Sequence, residues 1–156
     1  MDAIAQIDLS FIIPVAILAA LGFAGLLARG ILRQDTGSER MREIAAAIQQ
    51  GARAFLRRQY KTIAIIAAAL AILFAVALGA QKGFLLGVET AGAFALGATL
   101  SALSGYVGMH IAIRSNIRSA AGSLKSFNDA LVTALRGGAV SGLSIVSMSL
   151  AGVALL

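Results

Sequence analysis

The sequence predicts an all-α integral membrane fold of four transmembrane helices, on three observations. Leu9–Ala28, Thr62–Gln81, Thr90–Ile113 and Gly137–Leu156 hold no charged residue, and each reaches the ~20 residues that a helix needs to cross ~30 Å of hydrocarbon. With 59% hydrophobic residues among 156, the chain is too apolar to hide its nonpolar surface in a water-soluble core. Twelve of the thirteen Lys and Arg residues fall in Arg29–Lys61 and Arg114–Arg136, and only Lys82 lies elsewhere. By the positive-inside rule those two intervals face the cytoplasm and the N-terminus lies outside. The whole chain, 1–156, then reads as one transmembrane portion. Its spans are about 9–32, 62–81, 88–113 and 137–156, with cytoplasmic segments 33–61 and 114–136.

The first helix is expected from about Leu9 to Leu32, with Pro14 near its start, where a missing amide hydrogen costs little. Asp2 and Asp8 stand where a secretory signal would carry basic residues, so this span reads as retained. After Arg33 the polar run Gln34-Asp35-Thr36-Gly37-Ser38 makes a turn. Thr36 or Ser38 can cap the next helix, and Thr36 has Glu39 three residues on, as a capping box requires. From there Met41, Ile44, Ile48, Ala52 and Phe55 recur near a 3.6 period while Arg42, Glu43, Gln49, Arg53 and Arg57 take other faces. Only Gly51 interrupts good helix formers before Thr62–Gln81, so one long helix is expected to run from the cytoplasm through the second span.

Gly79 to Gly87, carrying Lys82 and ending near Glu89, reads as the short outer connection that makes spans two and three antiparallel neighbours. Span three leaves the membrane at Arg114, Asn116 and Arg118. Gly122 and Ser123 are expected to turn, and Leu124–Leu135 to form a helix feeding span four. Small residues at Gly97, Ser101 and Gly105, and in Gly138-Ala139-Val140-Ser141-Gly142, have the spacing that lets helices approach closely in lipid. The chain reaches Leu156 while still apolar, whereas a last span normally closes on a polar or aromatic interfacial residue; the expectation is a portion of a longer protein.

Candidate chemistry is sparse. The net charge of +6 flanks membrane spans, where anionic lipid accounts for it better than nucleic acid does. Cysteine is absent, which excludes disulfides, thiolate metal sites and a cysteine nucleophile. Gly105-Tyr106-Val107-Gly108 and Gly137–Gly142 lack the lysine of a phosphate loop. The seven acidic residues are scattered, with only Glu39 and Glu43 at helical spacing, so no Mg²⁺ site is expected. His110, one turn before Arg114, could relay a proton, but no carboxylate is near it in sequence and an interfacial structural role is the simpler reading. Lys82 and Glu89 sit at span ends, where such charges snorkel routinely. Arg40–Lys61 could bind anionic lipid or dock a partner; the plainer alternative is a solvated helix that packs its Met41–Ile44–Ile48–Phe55 stripe on neighbouring helix ends. An ion pump needs acids or bases at mid-depth, and these spans have none there. No catalytic, cofactor-binding or metal-binding residue is therefore assigned, and the helices read as scaffold.

Three ordered segments carry a family resemblance. Ile44-Ala-Ala-Ala-Ile48-Gln49-Gln50-Gly51-Ala52-Arg53-Ala54-Phe55-Leu56-Arg57-Arg58-Gln59-Tyr60-Lys61-Thr62-Ile63-Ala64 resembles the first cytoplasmic signature of the membrane-bound, ion-pumping pyrophosphatases. Ser104-Gly105-Tyr106-Val107-Gly108-Met109, leading to Arg114-Ser115-Asn116-Ile117-Arg118-Ser119-Ala120, is similar to their third helix and its exit. Leu135-Arg136-Gly137-Gly138-Ala139-Val140-Ser141-Gly142 is similar to the start of their fourth helix. His110, where Lys or Asn is expected, and Ser141, where Met or Ala is common, depart from that pattern.

The resemblance implies the first part of a sixteen-helix bundle, an outer-ring segment of an enzyme that hydrolyses pyrophosphate with Mg²⁺ and moves H⁺ or Na⁺ outward, usually as a homodimer. It implies that the aspartate-rich substrate motifs and the ion gate lie on later helices, that this portion alone is inactive, and that its partners are the bilayer and the remaining helices of the same pump. It leaves open the choice of ion and any need for K⁺. The alternative from another class is a small complete four-helix membrane protein, acting as a transporter or an assembly subunit.

Overall fold

The computed structural model describes residues 9–156, and among them every regular element is helical: α1 (Leu9–Leu32), α2 (Glu39–Lys82), α3 (Phe84–Ser123) and α4 (Phe127–Ala154). All four are long and apolar enough to cross a membrane. Asp2 and Asp8, which bear on the retained first span, lie outside the described residues. α1 has the expected limits, with Pro14 just beyond its first turn. α2 runs 44 residues without a break, about 66 Å at 1.5 Å per residue, so Gly51 is absorbed and the long helix expected from the sequence is present.

The connections differ from expectation in physically instructive ways. Between α1 and α2, Gly37 takes a φ of 73°, and its amide donates to Asp35 Oδ1 at 3.0 Å. A Cβ there would meet Met41 Sδ at 2.6 Å, so both backbone conformation and space require glycine. This turn leaves Thr36 outside α2. Ser38 caps the helix instead, its Oγ accepting from the Met41 amide at 3.3 Å; the residue three beyond the cap is then Met41 and the Thr36–Glu39 capping box does not form.

At the opposite end the polar connection expected over Gly79–Gly87 is helical almost throughout. Gly83 alone separates α2 from α3, with a φ of 103° that a side chain would strain. The third turn also falls later than Gly122–Ser123: α3 continues through both. The Gly122 carbonyl accepts from the Lys125 and Ser126 amides at 2.9 and 3.0 Å. Ser126 then caps α4 by accepting from the Asp129 amide at 3.0 Å, and Asp129 places a negative charge in the first turn, where the helix dipole favours it.

α3 is the middle of an open row. It packs on α2 along one side and on α4 along another, α4 carries α1, α1 meets α3 only slightly, and α1 and α2 do not pack on each other among the described residues. The buried apolar cluster lies where α1, α3 and α4 meet, at Ala24, Ile31, Ile111 and Val140. Ile31 is fully buried. The connection of α1 to α2 therefore passes across the end of the row.

Close packing uses part of the expected set: Val140 is buried, Ser141 bonds across to α3, and a Cβ on Gly105 would lie 3.2 Å from the Tyr60 hydroxyl. Gly97, Gly138 and Gly142 face open space, and Ser101 and Ala139 are exposed. The α3–α4 seam is built from Ser104, Gly108, Ile111 and Ser115 against Thr133, Gly137, Val140, Ser144 and Ser147. Both sets advance by alternating steps of four and three residues, the spacing of a heptad seam. A Cβ on Gly137 would lie 2.8 Å from Ser115 Cβ. Ser115 Oγ donates to the Thr133 carbonyl at 3.2 Å, and Ser141 Oγ to the Gly108 carbonyl at 3.3 Å. On the other side of α3, a Cβ on Gly87 would meet the Ala75 carbonyl oxygen and lie 2.7 Å from Gly79 N.

The cytoplasmic stripe is corrected too. Ile44, Ile48 and Phe55 are 51%, 54% and 56% exposed, while Ala45 is buried and Gln49, Leu56 and Tyr60 are half-buried on the face turned to α3. The side of α2 turned to α3 thus carries Ala45, Gln49, Leu56 and Tyr60, while Ile44, Ile48 and Phe55 point away.

Gly87→Ala and Gly137→Ala are expected to cost about 1–3 kcal/mol each, since the added methyl meets backbone or a packed serine. Gly97→Ala and Gly138→Ala should be neutral or stabilising by up to about 1 kcal/mol. Thermal unfolding of the four variants in detergent checks the contrast, and equal midpoints would contradict the seam. Ser38→Ala should cost about 1 kcal/mol and speed amide exchange in the first turn of α2, whereas Thr36→Ala should leave that exchange unchanged.

Candidate functional site

Because α1 and α3 end where α2 and α4 begin, the two basic intervals meet at one end of the row. There Arg118 is the central tie. Its Nη2 donates to the Leu32 carbonyl at the end of α1 at 3.0 Å, and its Nη1 to the Arg114 carbonyl at 2.7 Å. The Leu32 carbonyl ends α1, where acceptors lack intrahelical partners and cations are favoured, whereas the Arg114 carbonyl lies one turn back within α3. Burial first, and the neighbouring Arg114 guanidinium second, pull the Arg118 guanidinium below its ordinary value.

Beside it Thr133 Oγ1 donates to Gln34 Oε1 at 3.0 Å, joining the first turn segment to α4, and Ser119 Oγ donates to the Ala130 carbonyl at 2.8 Å. A cavity of about 470 Å³ opens here, lined by Gln34, Asp35, Arg118, Lys125, Asp129 and Arg136 among others. Both charge signs share it.

A second cavity at the same end, between α2 and α3, is of one sign. It has a volume of about 560 Å³ and is lined by Arg53, Arg57, Tyr60, Tyr106, His110 and Arg114, with no acidic residue. Tyr60 fixes the two helices here, its hydroxyl donating to the Ala102 carbonyl at 2.7 Å. Its ring meets Tyr106 edge-on at 6.2 Å between centroids, and Tyr106 lies 5.8 Å from the His110 ring.

The residues singled out in the sequence are dispersed. His110 is half-buried against Tyr106, and its carbonyl accepts from Arg114 Nη1 at 3.1 Å. Lys82 and Glu89 are both exposed at the far end, with no ion pair between them. Glu43 pairs with Arg40 at 2.9 Å, and both side chains are mostly exposed, a geometry that contributes little. Among the described residues no three of His, Asp and Glu converge on a point that could hold a metal ion.

Sequence reasoning missed Gln34, Ser115, Arg118 and Thr133 as a connected group. The signal for two of them was present: Thr133, Gly137, Val140, Ser144 and Ser147 repeat with heptad spacing, and Ser104, Gly108, Ile111 and Ser115 do the same. Gln34 carries no such pattern, and Arg118 continues the α3 series by a step of three, but its bond to Leu32 on α1 has no local signal.

Comparison with known proteins fits this architecture. The chain is 46% identical over 155 residues to a K(+)-insensitive pyrophosphate-energized proton pump of Caldanaerobacter subterraneus subsp. tengcongensis, which covers 95% of this chain and 22% of that protein. It is 49% identical over 142 residues to K(+)-insensitive pyrophosphate-energized proton pump 2 of Moorella thermoacetica, covering 91% of this chain and 20% of the relative. A K(+)-stimulated pyrophosphate-energized sodium pump of Thermotoga maritima is 40% identical over 150 residues, covering 95% of this chain and 19% of the relative. The chain thus spans about a fifth of the length of the relatives it matches. No solved structure matches it. The family described as inorganic H+ pyrophosphatase matches residues 18–156, nearly the whole of the described helical row, and the chain belongs to that family.

Proposed function

We propose that this chain is the N-terminal, outer-ring scaffold of a pump that couples pyrophosphate hydrolysis to the movement of H⁺ or Na⁺. The observation that carries the reading is the neutral interior of all four spans in a chain 40–49% identical to such pumps. Ion transfer through hydrocarbon requires titratable or charged groups at mid-depth, and helices with none there contribute position instead of chemistry. In this reading Mg²⁺ and pyrophosphate are held by segments other than the one described.

The open row supports the same reading. α1 and α2 each have a packed side and an apolar flank, with Phe11, Leu18 and Phe23 on α1 and Ile65, Ile72 and Val76 on α2 exposed. Lipid covers part of this surface, and further helices of the same pump and a second copy cover the rest. The polar ties of Arg118, Gln34 and Thr133 hold the ends of α1, α3 and α4 in register. The excess of Lys and Arg at the basic end supports a cytoplasmic position for it, with Gly83 on the outer side of a cell membrane.

Reconstituted alone in liposomes with Mg²⁺ and pyrophosphate, the chain is expected to release no phosphate above the lipid background; robust hydrolysis without added protein would falsify the scaffold assignment. Because the chain has no cysteine, single Ser38→Cys, Leu124→Cys and Gln81→Cys variants report topology directly. In intact cells a membrane-impermeant maleimide is expected to label only Gln81→Cys, and to reach the other two after lysis. The reverse pattern would invert the orientation.

A further inference from the structure

The one-signed basic cavity between α2 and α3 does not end at its tyrosines. Tyr60 and Tyr106 also line a second cavity of about 470 Å³ that continues along the same helix pair. Beyond the tyrosines its walls are mainly alanine, with Ala64, Ala67 and Ala71 on α2 and Ala95, Ala98 and Ala102 on α3, joined by Ile63, Thr99 and Leu103. From Tyr60 to Ala71 a helix rises about 16 Å, close to half of the ~30 Å hydrocarbon thickness. The groove thus has the depth of one leaflet.

We propose that the two cavities form one binding site for an anionic phospholipid. Arg53, Arg57 and Arg114 take the phosphate, Tyr60 and Tyr106 mark the interface, and one acyl chain lies in the alanine groove. Three features of the site select this ligand. Guanidinium groups bind phosphate oxygens in bidentate geometry, and these three have no carboxylate among the residues lining their cavity. Among the described residues the single ion pair is Arg40–Glu43. Tyrosine prefers the depth at which headgroup meets hydrocarbon.

The third feature is shape. Alanines at i, i+3 and i+7 on both helices leave a channel that suits a narrow, flexible chain. A free phosphate would satisfy the arginines but leave that groove unexplained. The Tyr60 hydroxyl is already engaged by the Ala102 carbonyl, so it walls the junction and leaves headgroup binding to the arginines. The site requires that α2 and α3 sit in a bilayer and that this groove stay open to lipid beside the other helices of the proposed pump.

The test is native mass spectrometry of the full chain released from detergent micelles, with phosphatidylglycerol or phosphatidylcholine of identical acyl chains. Wild type is expected to retain phosphatidylglycerol about tenfold or more over phosphatidylcholine, as three arginines near a lipid surface imply. Joint Arg53→Gln, Arg57→Gln and Arg114→Gln should abolish that preference. The control Arg29→Gln, Arg33→Gln and Arg136→Gln removes equal charge elsewhere and should keep it. Ala98→Leu, which fills the groove and keeps every charge, should lower phosphatidylglycerol retention about fivefold or more, the cost of overfilling a packed slot. It needs no arginine variant to fold.

Equal retention of the two lipids by wild type, or equal losses in both triple variants, would overturn the site. So would an unaffected Ala98→Leu variant whose bound lipid is displaced by millimolar inorganic phosphate, since that assigns the arginines to a free anion. Loss of lipid on adding the remaining pump helices would overturn it as well, by showing that a helix occupies the groove.

Discussion

Helices immersed in hydrocarbon gain nothing from hiding apolar surface on one another, because lipid tails are as apolar as leucine. What brings α3 against both of its neighbours is therefore backbone proximity, and that depends on a few positions without bulk. Gly87 meets the backbone of α2 at Ala75 and Gly79, and Gly137 meets Ser115 across the α3–α4 seam. At such distances dispersion contacts are dense, and serine hydroxyls reach carbonyls on the facing helix, as Ser115 does to Thr133 and Ser141 to Gly108. Every other feature of the row, including the cavities between α2 and α3, follows from how near these backbones come.

The order of helices in the row is a second consequence. α1 does not return alongside α2, although only six residues join them; it crosses to α4 and closes the apolar cluster of Ala24, Ile31, Ile111 and Val140. Its last turn is then within reach of Arg118, whose guanidinium bonds the Leu32 carbonyl. A charged tie works at this end because it lies beyond the hydrocarbon and satisfies acceptors that the end of α1 leaves free. Among the described residues the opposite end shows no comparable polar network, and there Gly83 turns the chain while Gly87 packs on Ala75 and Gly79 of α2.

The separation of function along the helix axis is the feature that unites these parts. Neutral residues occupy the membrane depth, and all but one of the Lys and Arg residues cluster at one end. Such a segment can hold its neighbours in place and meet the headgroup region without offering an ion a route through it.

Fold class, the number of spans and the clustering of charge at one end were legible in the sequence, because each rests on composition over about 20 residues, which the bilayer reads directly. The uninterrupted α2 was legible as well, from periodicity and the absence of breakers. The family could be recognised in three local segments whose residues lie close together in the chain. Which glycines carry packing was not: Gly97 and Gly138 have the expected spacing, yet Gly87, Gly108 and Gly137 do the work, since a small residue matters only where another helix arrives. For the same reason the apolar stripe at Ile44, Ile48 and Phe55 faces outward and the cap falls to Ser38. The tie of Arg118 to Leu32 and of Gln34 to Thr133 joins residues 86 and 99 positions apart. Local pattern carries no information about such pairs; the crossing of α1 to α4 created them, and that crossing is a tertiary choice, set by which faces could approach closely in lipid.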